Sequence, residues 1–247
     1  MPYDQTTIVV AAALLLAAYV KGTTGMGFPL IATPMVALLL DIRTAIVILI
    51  VPNILMDITQ IVRGGFSARI FRRFTWLFVL TILGVFLGTK ILVTLPIWIL
   101  NVALGTMVLA FVGSNLSRFS FHTSSRWEPA VSPIAGFITG LLNGMTNAGG
   151  PALAVYLYSL RLPKTEFIKS IATIFFVTKV SQLVAVSTWN LFTAGTIRLS
   201  LAVTLFILLG FYAGLKTQDR VNQQMFNRGL LTLLSVIGVV LIVRAVG

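Results

Sequence analysis

Apolar segments follow one another along almost the whole chain. They run over residues 6–40, 44–62, 74–94 and 97–117, and then over 134–160, 168–188, 199–215 and 229–246. A helix of about 20 apolar residues crosses a hydrocarbon core of about 30 Å. Since 57% of the 247 residues are hydrophobic and 10% are charged, little polar surface is available for a soluble globule. The pattern predicts an all-α polytopic membrane protein.

The composition also excludes several classes of function. A net charge of +12 in a soluble protein would indicate nucleic-acid binding, but here the basic residues gather in short loops, as orientation in a membrane requires. We therefore expect no nucleic-acid partner. The chain has no cysteine and the single histidine His122, so thiolate or histidine metal sites are not expected. No bound cofactor is predicted, and coupling to protons or to sodium stays open.

The chain contains two copies of one unit. A constant shift of 122 positions superimposes four residues of one glycine-rich segment on four of another: Gly22 on Gly144, Thr24 on Thr146, Gly27 on Gly149 and Pro29 on Pro151. Such internal similarity is typical of transporters built from repeats. We assign residues 1–118 to the first repeat, 119–133 to a cytoplasmic linker and 134–247 to the second repeat.

The first apolar segment of each repeat is unusual. Residues 6–40 would form a helix of about 52 Å at about 1.5 Å per residue, much longer than the hydrocarbon core. Glycines and a proline interrupt this segment, and the same residue types interrupt 134–160. Each segment is therefore predicted to be a re-entrant hairpin or broken helix, followed in each repeat by three spans.

Basic residues are distributed unevenly between the predicted loops. Twelve fall in loops that we assign to the cytoplasm: Arg63, Arg69, Arg72, Arg73, Arg118, Arg126, Arg161, Lys164, Lys169, Lys216, Arg220 and Arg228. Four fall on or near the opposite side: Arg43, Lys90, Arg198 and Arg244. By the positive-inside rule, the two repeats have inverted topology. We predict a bacterial-type inner membrane with both termini outside.

The tips of the two hairpins are the predicted substrate site. A proline at the start of a returning half-helix leaves its other N–H groups free, and these favour an anion. The first tip contributes Thr23, Thr24, Gly25, Gly27 and Pro29; the second contributes Asn143, Thr146, Asn147, Gly149, Gly150 and Pro151. For Gly136, Gly140 and Gly144, at four-residue spacing, close helix packing is the favoured interpretation.

Ionisable residues inside predicted spans are further candidates. The repeat alignment places Asp57 opposite Lys179, which suggests a buried pair in which Lys179 attracts the substrate and Asp57 couples protons. A purely structural ion pair and a hydrated Asp57 are the alternatives. Gln60 and Gln182 line the same cavity or bond neighbouring helices. Lys21 either reaches the site or caps its hairpin.

Two motifs carry a family resemblance. GTTGMGFPLIATP (22–34) and GFITGLLNGMTNAGGPAL (136–153) resemble the paired signatures of the sulfite exporter TauE/SafE family. One departure is Asn147, where the family usually has glycine. The resemblance implies transport of sulfite, of sulfonates such as sulfoacetate, or of related oxyanions and carboxylates.

The sequence thus predicts a secondary active transporter that moves a small sulfur-containing or organic anion by alternating access. A passive anion channel and a carrier for small carboxylates are the alternatives. An enzyme is not expected, because the six acidic residues are scattered and no HExxH, GxSxG or P-loop pattern occurs. The expected partners are the anion and the lipid bilayer, and a homodimer stays open.

The inverted topology is testable by labelling single cysteines in this cysteine-free chain. A cysteine at Thr165 is expected to react from the cytoplasm and one at Thr193 from the outside, because the predicted loops lie on opposite sides. Accessibility to an impermeant maleimide in intact cells and in inverted vesicles measures this. Labelling of both positions from the same side would contradict the prediction.

Overall fold

The computed structural model describes residues 5–65, 67–116, 126–217 and 223–246. All regular structure in these ranges is helical, which confirms the all-α prediction: α1 (Gln5–Thr24), α2 (Phe28–Ala37), α3 (Ile42–Ile48), α4 (Ile50–Gly64), α5 (Ala68–Arg73), α6 (Thr75–Thr94), α7 (Ile97–Leu116), α8 (Glu128–Thr146), α9 (Gly150–Ser159), α10 (Lys164–Thr188), α11 (Ala194–Thr217) and α12 (Gln223–Val246). The first part of the predicted linker, residues 119–125 with His122, lies outside the described residues, as do Arg118 and Arg220.

Several helices have the length and composition of membrane spans. Within the described ranges, four segments are long and apolar enough to cross: Ile42–Gly64, Thr75–Thr94, Thr165–Thr188 and Ala194–Thr217. Four shorter apolar helices accompany them: Ile8–Thr24, Phe28–Ala37, Ile97–Gly113 and Leu234–Ala245. Large aliphatic side chains face outward, such as Leu205 and Leu209, which are 75% and 68% exposed. Such a surface suits lipid, so the chain is a polytopic membrane protein.

The first apolar segment is broken between α1 and α2. Gly25 and Gly27 adopt φ values of 86° and 95°, in the left-handed region that costs residues with a Cβ about 1–2 kcal/mol. A Cβ on Gly27 would lie 3.4 Å from Cγ1 of Val20 in α1. The chain therefore turns back along the helix that it has just left.

The second hairpin segment is broken between α8 and α9. Asn147 ends α8 in a left-handed conformation with φ 65°, and Gly149 lies against the carbonyl oxygen of Thr139, back along α8. Pro29 and Pro151 each occupy the first turn of the returning helix. This confirms their predicted helix-starting positions.

A proline also explains the interruption between α3 and α4. Pro52 has no N–H, so the carbonyl of Ile48 lacks its usual helical partner. The hydroxyl of Ser200, in α11, donates to that carbonyl at 2.8 Å. A free carbonyl inside a membrane is costly; this contact satisfies it and fixes α11 against the break.

Glycines bring α6 and α8 into backbone contact. A Cβ on any of these glycines would clash with backbone of the facing helix: Gly84, Gly88, Gly136, Gly140 and Gly144. The hydroxyl of Thr81 in α6 donates to the carbonyl of Gly136 at 3.0 Å. The packing interpretation of the glycines at four-residue spacing in α8 is therefore confirmed.

The pair formed by α1 and α11 repeats this arrangement. Gly22 of α1 lies against Phe211 and Gly214, while Gly210 lies against Leu15 of α1. A helix from the N-terminal part of the chain thus packs on one from the C-terminal part, as α6 packs on α8. Further pairs between the parts include α4 with α10 and α7 with α12.

An ion pair joins α5 to the start of α8. The guanidinium of Arg73 donates to both carboxylate oxygens of Glu128, at 2.6 and 2.9 Å. This hydrogen bonding raises the pKa of Arg73 above its usual value. The start of α6 and the start of α8 are therefore held at the same end of the helix bundle.

The glycine contacts predict a position-specific loss of stability. Gly140→Ala is expected to lower stability by about 1–3 kcal/mol, because its Cβ would meet the carbonyl oxygen of Thr81 in a fully packed interface. Thermal unfolding of the purified protein in detergent measures this. Gly113→Ala is the control, since a Cβ there meets nothing within 4 Å. Equal melting temperatures for the two variants would contradict the assignment.

Candidate functional site

The centre of the molecule contains the buried charged residues. Within the described ranges, these are Lys21 on α1, Asp57 on α4 and Lys179 on α10, each at most 1% exposed. In the same ranges no three His, Cys, Asp or Glu side chains come together as metal ligands. Ionised groups at this depth need partners, so their contacts define the site.

Lys21 pairs with Asp57. Its Nζ lies 2.5 Å from Oδ1 of Asp57, and it also donates to Oδ1 of Asn53. The expected pairing of Asp57 with Lys179 is therefore corrected: α1 inserts Lys21 beside α4, and Asp57 interacts with Lys179 only electrostatically, without a direct ion pair. Lys21 thus lies among the buried polar groups of α4, and its role in substrate binding stays a prediction.

Lys179 has a different set of partners. Its Nζ donates to Oδ1 of Asn143 at 2.9 Å, to Oε1 of Gln182 at 2.7 Å and to Oδ1 of Asn147. Three acceptors around one Nζ require three N–H groups, which an ammonium has. The ion pairs among the described residues are Lys21–Asp57 and Arg73–Glu128. The charge of Lys179 is thus solvated by amide dipoles and has no carboxylate in direct contact.

Two glutamines make the same contact at equivalent positions. Nε2 of Gln60 donates to the carbonyl of Lys21 at 3.1 Å, and Nε2 of Gln182 donates to the carbonyl of Asn143 at 2.9 Å. The shift of 122 relates both donors and both acceptors. These bonds tie α4 to α1 and α10 to α8, so the helix-to-helix alternative for the glutamines is what the structure shows.

Two acceptors beside the ion pair lack a donor. Oδ2 of Asp57 and Oε1 of Gln60 are buried and have no hydrogen-bond partner. Buried polar atoms in folded proteins are normally bonded. These oxygens therefore have unused capacity to accept a proton or another donor.

The threonines of the tips stabilise the turns. Hydroxyls of Thr23 and Thr24 both donate to the carbonyl of Val20 at 2.9 Å, and the hydroxyl of Thr146 donates to the carbonyl of Leu142 at 2.9 Å. Threonine in helices commonly bonds to the preceding turn. Their hydroxyl protons are thus engaged with backbone, whereas the two asparagines of the second tip contact Lys179.

The two tips contact α10 at different levels. Gly25 lies against Ile168 and Gln60, whereas Asn147 bonds Lys179. Ile168 and Lys179 are separated by a rise of about 16 Å along the helix. No hydrogen bond joins residues 22–29 to 144–151, all of which the structure describes. Between the two levels lie Lys21 and Phe175, with Nζ 6.0 Å from the ring centroid.

The returning helices begin near these charged groups. Neither α2 nor α9 has a side chain capping its N-terminus, so their first N–H groups keep their capacity for an anion. A Cβ on Gly150, at the start of α9, would lie 3.5 Å from the Phe175 ring. The start of α9 therefore lies close to the helix that carries Lys179.

Sequence reasoning missed three residues of the site: Asn53, Thr33 and Phe175. Asn53 precedes Asp57 by four positions, so the two share a helix face, and this signal was available. Thr33 accepts a hydrogen bond from Nδ2 of Asn147 at 2.9 Å, and nothing in its local sequence marks it. Phe175 occupies the position equivalent to Asn53, which only the repeat alignment reveals.

A large cavity lies outside this site. It has a volume of about 540 Å³ and an almost wholly apolar wall formed by side chains of α7, α8 and α9, among them Phe111, Ile138, Leu142 and Val155. Pro151 of the second tip borders it. Such a surface suits hydrocarbon and offers no charge to an anion.

The all-helical fold with its long apolar helices is that of a multi-pass membrane protein. A model of the family described as sulfite exporter TauE/SafE matches residues 10–241. The chain belongs to this family, a family of membrane transporters. No curated protein and no solved structure matches it.

The Lys21–Asp57 ion pair predicts that removing Lys21 alone destabilises the protein more than removing both charges. Lys21→Met is expected to cost about 3–5 kcal/mol, because it leaves the Asp57 carboxylate buried without its cation. The double variant Lys21→Met with Asp57→Asn is expected to be more stable than this single variant. Thermal unfolding in detergent compares them, with Lys216→Met, at an exposed lysine, as the control. A double variant that is less stable than Lys21→Met would contradict the pairing.

Proposed function

We propose that the protein is a secondary active transporter for a small sulfur-containing or organic anion, such as sulfite or a sulfonate like sulfoacetate. The observation that carries the proposal is the environment of Lys179. Its ammonium is completely buried and is held by three amide oxygens. Family membership supports sulfite and related anions as the substrate class.

Charge balance favours an anionic substrate. Lys21 and Asp57 cancel as a direct pair, so the three buried charges sum to one positive charge at Lys179. An uncompensated charge in a low-dielectric interior is costly. A bound anion would remove this cost. The neutral amides are therefore the partners of Lys179 in the absence of substrate, and a bound anion can replace them.

Movement of Asn147 in the second hairpin tip would let an anion replace one of the amides around Lys179. Asn147 joins Lys179 to Thr33 and lies three residues before the uncapped start of α9. If its amide oxygen moves away, one N–H of Lys179 becomes free beside the N–H groups of Gly149 and Gly150. An oxyanion bound there would meet an ammonium and a helix N-terminus together.

Alternating access is proposed from the pairing of helices between the two repeats. α1 with α11 and α8 with α6 are equivalent pairs, and α7 with α12 is reciprocal: Gly105 lies against Ile242 and Gly238 against Leu109. Reciprocal contacts of this kind are expected around a pseudo-twofold axis. With that axis in the membrane plane, the repeats are inverted and exchange roles between the inward-open and outward-open states.

The burial of the site favours a carrier over a passive channel. Asn143, Asn147, Lys179 and Gln182 are each at most 1% exposed, so these four side chains do not line an open aqueous path. Small carboxylates carry the same charge as sulfonates and are the main competing substrates. The proposed location is the bacterial-type inner membrane.

Lys179→Met is expected to reduce saturable anion transport at least tenfold, because it removes the one uncompensated buried charge. Uptake of labelled sulfite and sulfoacetate into proteoliposomes under an imposed gradient measures this, with acetate as the carboxylate competitor. Lys90→Met, at an exposed lysine, is the matched control. Wild-type flux that rises linearly with substrate concentration, or unchanged transport in Lys179→Met, would contradict the proposal.

A further inference from the structure

We propose that Asp57 and Gln60 form a binding site for one proton, which enters the protein together with the transported anion. The inference rests on the proposed transport function and names its coupling ion. It starts from two neighbouring oxygens that the structure leaves without donors.

Both oxygens are buried acceptors on one face of α4. Oδ2 of Asp57 and Oε1 of Gln60 have no hydrogen-bond partner, and the residues are 0% and 6% exposed. Residues three apart in a helix are neighbours on its surface. Their other polar atoms are engaged: Oδ1 of Asp57 with Lys21, and Nε2 of Gln60 with the carbonyl of Lys21. Two buried acceptors without donors thus belong to side chains that are neighbours on one helix face.

The equivalent residues of the second repeat, Lys179 and Gln182, show which hydrogen bond Asp57 and Gln60 lack. There, Nζ of Lys179 donates to Oε1 of Gln182 at 2.7 Å, and Gln182 keeps the same bond to the neighbouring helix as Gln60. Asp57, an acceptor, occupies the position that the shift of 122 aligns with the donor Lys179. Protonated Asp57 would supply the absent donor and restore the contact to Gln60, now as an O–H···O bond.

The site suits a proton better than a metal cation. Hard cations such as Ca²⁺ and Mg²⁺ take about six or more oxygen ligands, whereas two oxygens suffice to hold one proton. The ammonium of Lys21, at 2.5 Å from the other carboxylate oxygen, would also repel a second cation. Binding that depends on sodium is therefore one of the results that the experiment below distinguishes.

The charges that face Asp57 make its proton sensitive to the anion. Lys21 of α1 and Lys179 of α10 act on it electrostatically, and α11, which also packs on α4, contributes Ser200 and Thr204 as its buried polar side chains in the described ranges. An anion at Lys179 neutralises one of these two cations. The negative form of Asp57 then becomes less favourable, so the proton binds more tightly.

Linkage fixes the sign of the coupling. Since the anion strengthens proton binding, the proton must strengthen anion binding by the same factor. Anion binding is therefore accompanied by proton uptake in the pH range where Asp57 is ionised in the free protein and protonated in the anion-bound protein. Below that range Asp57 already carries the proton, and uptake disappears.

Calorimetric titration of the purified full chain with sulfoacetate tests the inference. Sulfoacetate is used because it stays ionised at neutral pH and takes up no proton itself. The titration is repeated in buffers of different ionisation heat, and the slope of observed heat against ionisation heat gives the protons taken up. We expect about one proton per anion for the wild type and for the control Asp41→Asn, which replaces a helix-capping aspartate with another good cap.

Asp57→Asn is expected to bind the anion with no proton uptake, and Gln60→Met to shift the uptake to lower pH by removing the acceptor. Gln60→Met keeps the Lys21–Asp57 pair, so its shift of proton uptake tests the inference even if Asp57→Asn does not fold. Wild-type binding without proton uptake, unchanged uptake in a folded variant at Asp57, or binding that depends on sodium in place of protons would overturn the inference. Absence of any saturable anion binding would instead overturn the proposed transport function.

Discussion

Charge burial is the physical constraint on which the centre of this protein depends. Hydrocarbon offers no solvation to an ion, so each buried ion needs a partner within the fold. Lys21 and Asp57 meet this need by direct pairing, while Lys179 meets it with three amide oxygens. Amides solvate a cation without neutralising it. The positions of α1, α4, α8 and α10 are therefore linked through the contacts of three side chains, and the fold retains one positive charge at Lys179, where we propose that the anion binds.

Close glycine packing lies next to these central contacts. The residue after Lys21, Gly22, lets α1 approach the backbone of α11 closely, while the Lys21 side chain reaches Asp57 in α4. Gly144 has the same function in α8, one residue after Asn143, where it lies against Val85 and Thr89 of α6. In both hairpins, a glycine on one face and a polar residue on the adjacent face are consecutive in the sequence. The helix–helix packing and the buried polar contacts therefore depend on the same short segments.

The sequence was informative about the helices and their breaks, and much less about which side chains contact each other. Hydropathy and glycine–proline interruptions predicted the spans and the two broken helices, because both depend on local chemistry. The suggested pairing of Asp57 with Lys179 is replaced by Lys21–Asp57, since the repeat alignment compares positions and cannot show that α1 inserts Lys21 beside α4. Thr24 was expected to face a ligand, but its hydroxyl bonds to the preceding turn. Such choices depend on which helix faces lie inward, and that is decided by packing over the whole molecule.

Residues related by the shift of 122 make similar contacts to neighbouring backbone but differ in charge. Gln60 and Gln182 make the same bond to the neighbouring helix, so the scaffold around each is alike. One turn earlier, Asp57 and Lys179 have opposite charges, and the residues that face them, Lys21 and Asn143, differ accordingly. A symmetric pair of sites would bind two equal ligands. In the proposed coupling, this arrangement separates an anion-attracting position near Lys179 from a proton-accepting position near Asp57, while both remain within one set of interacting charges.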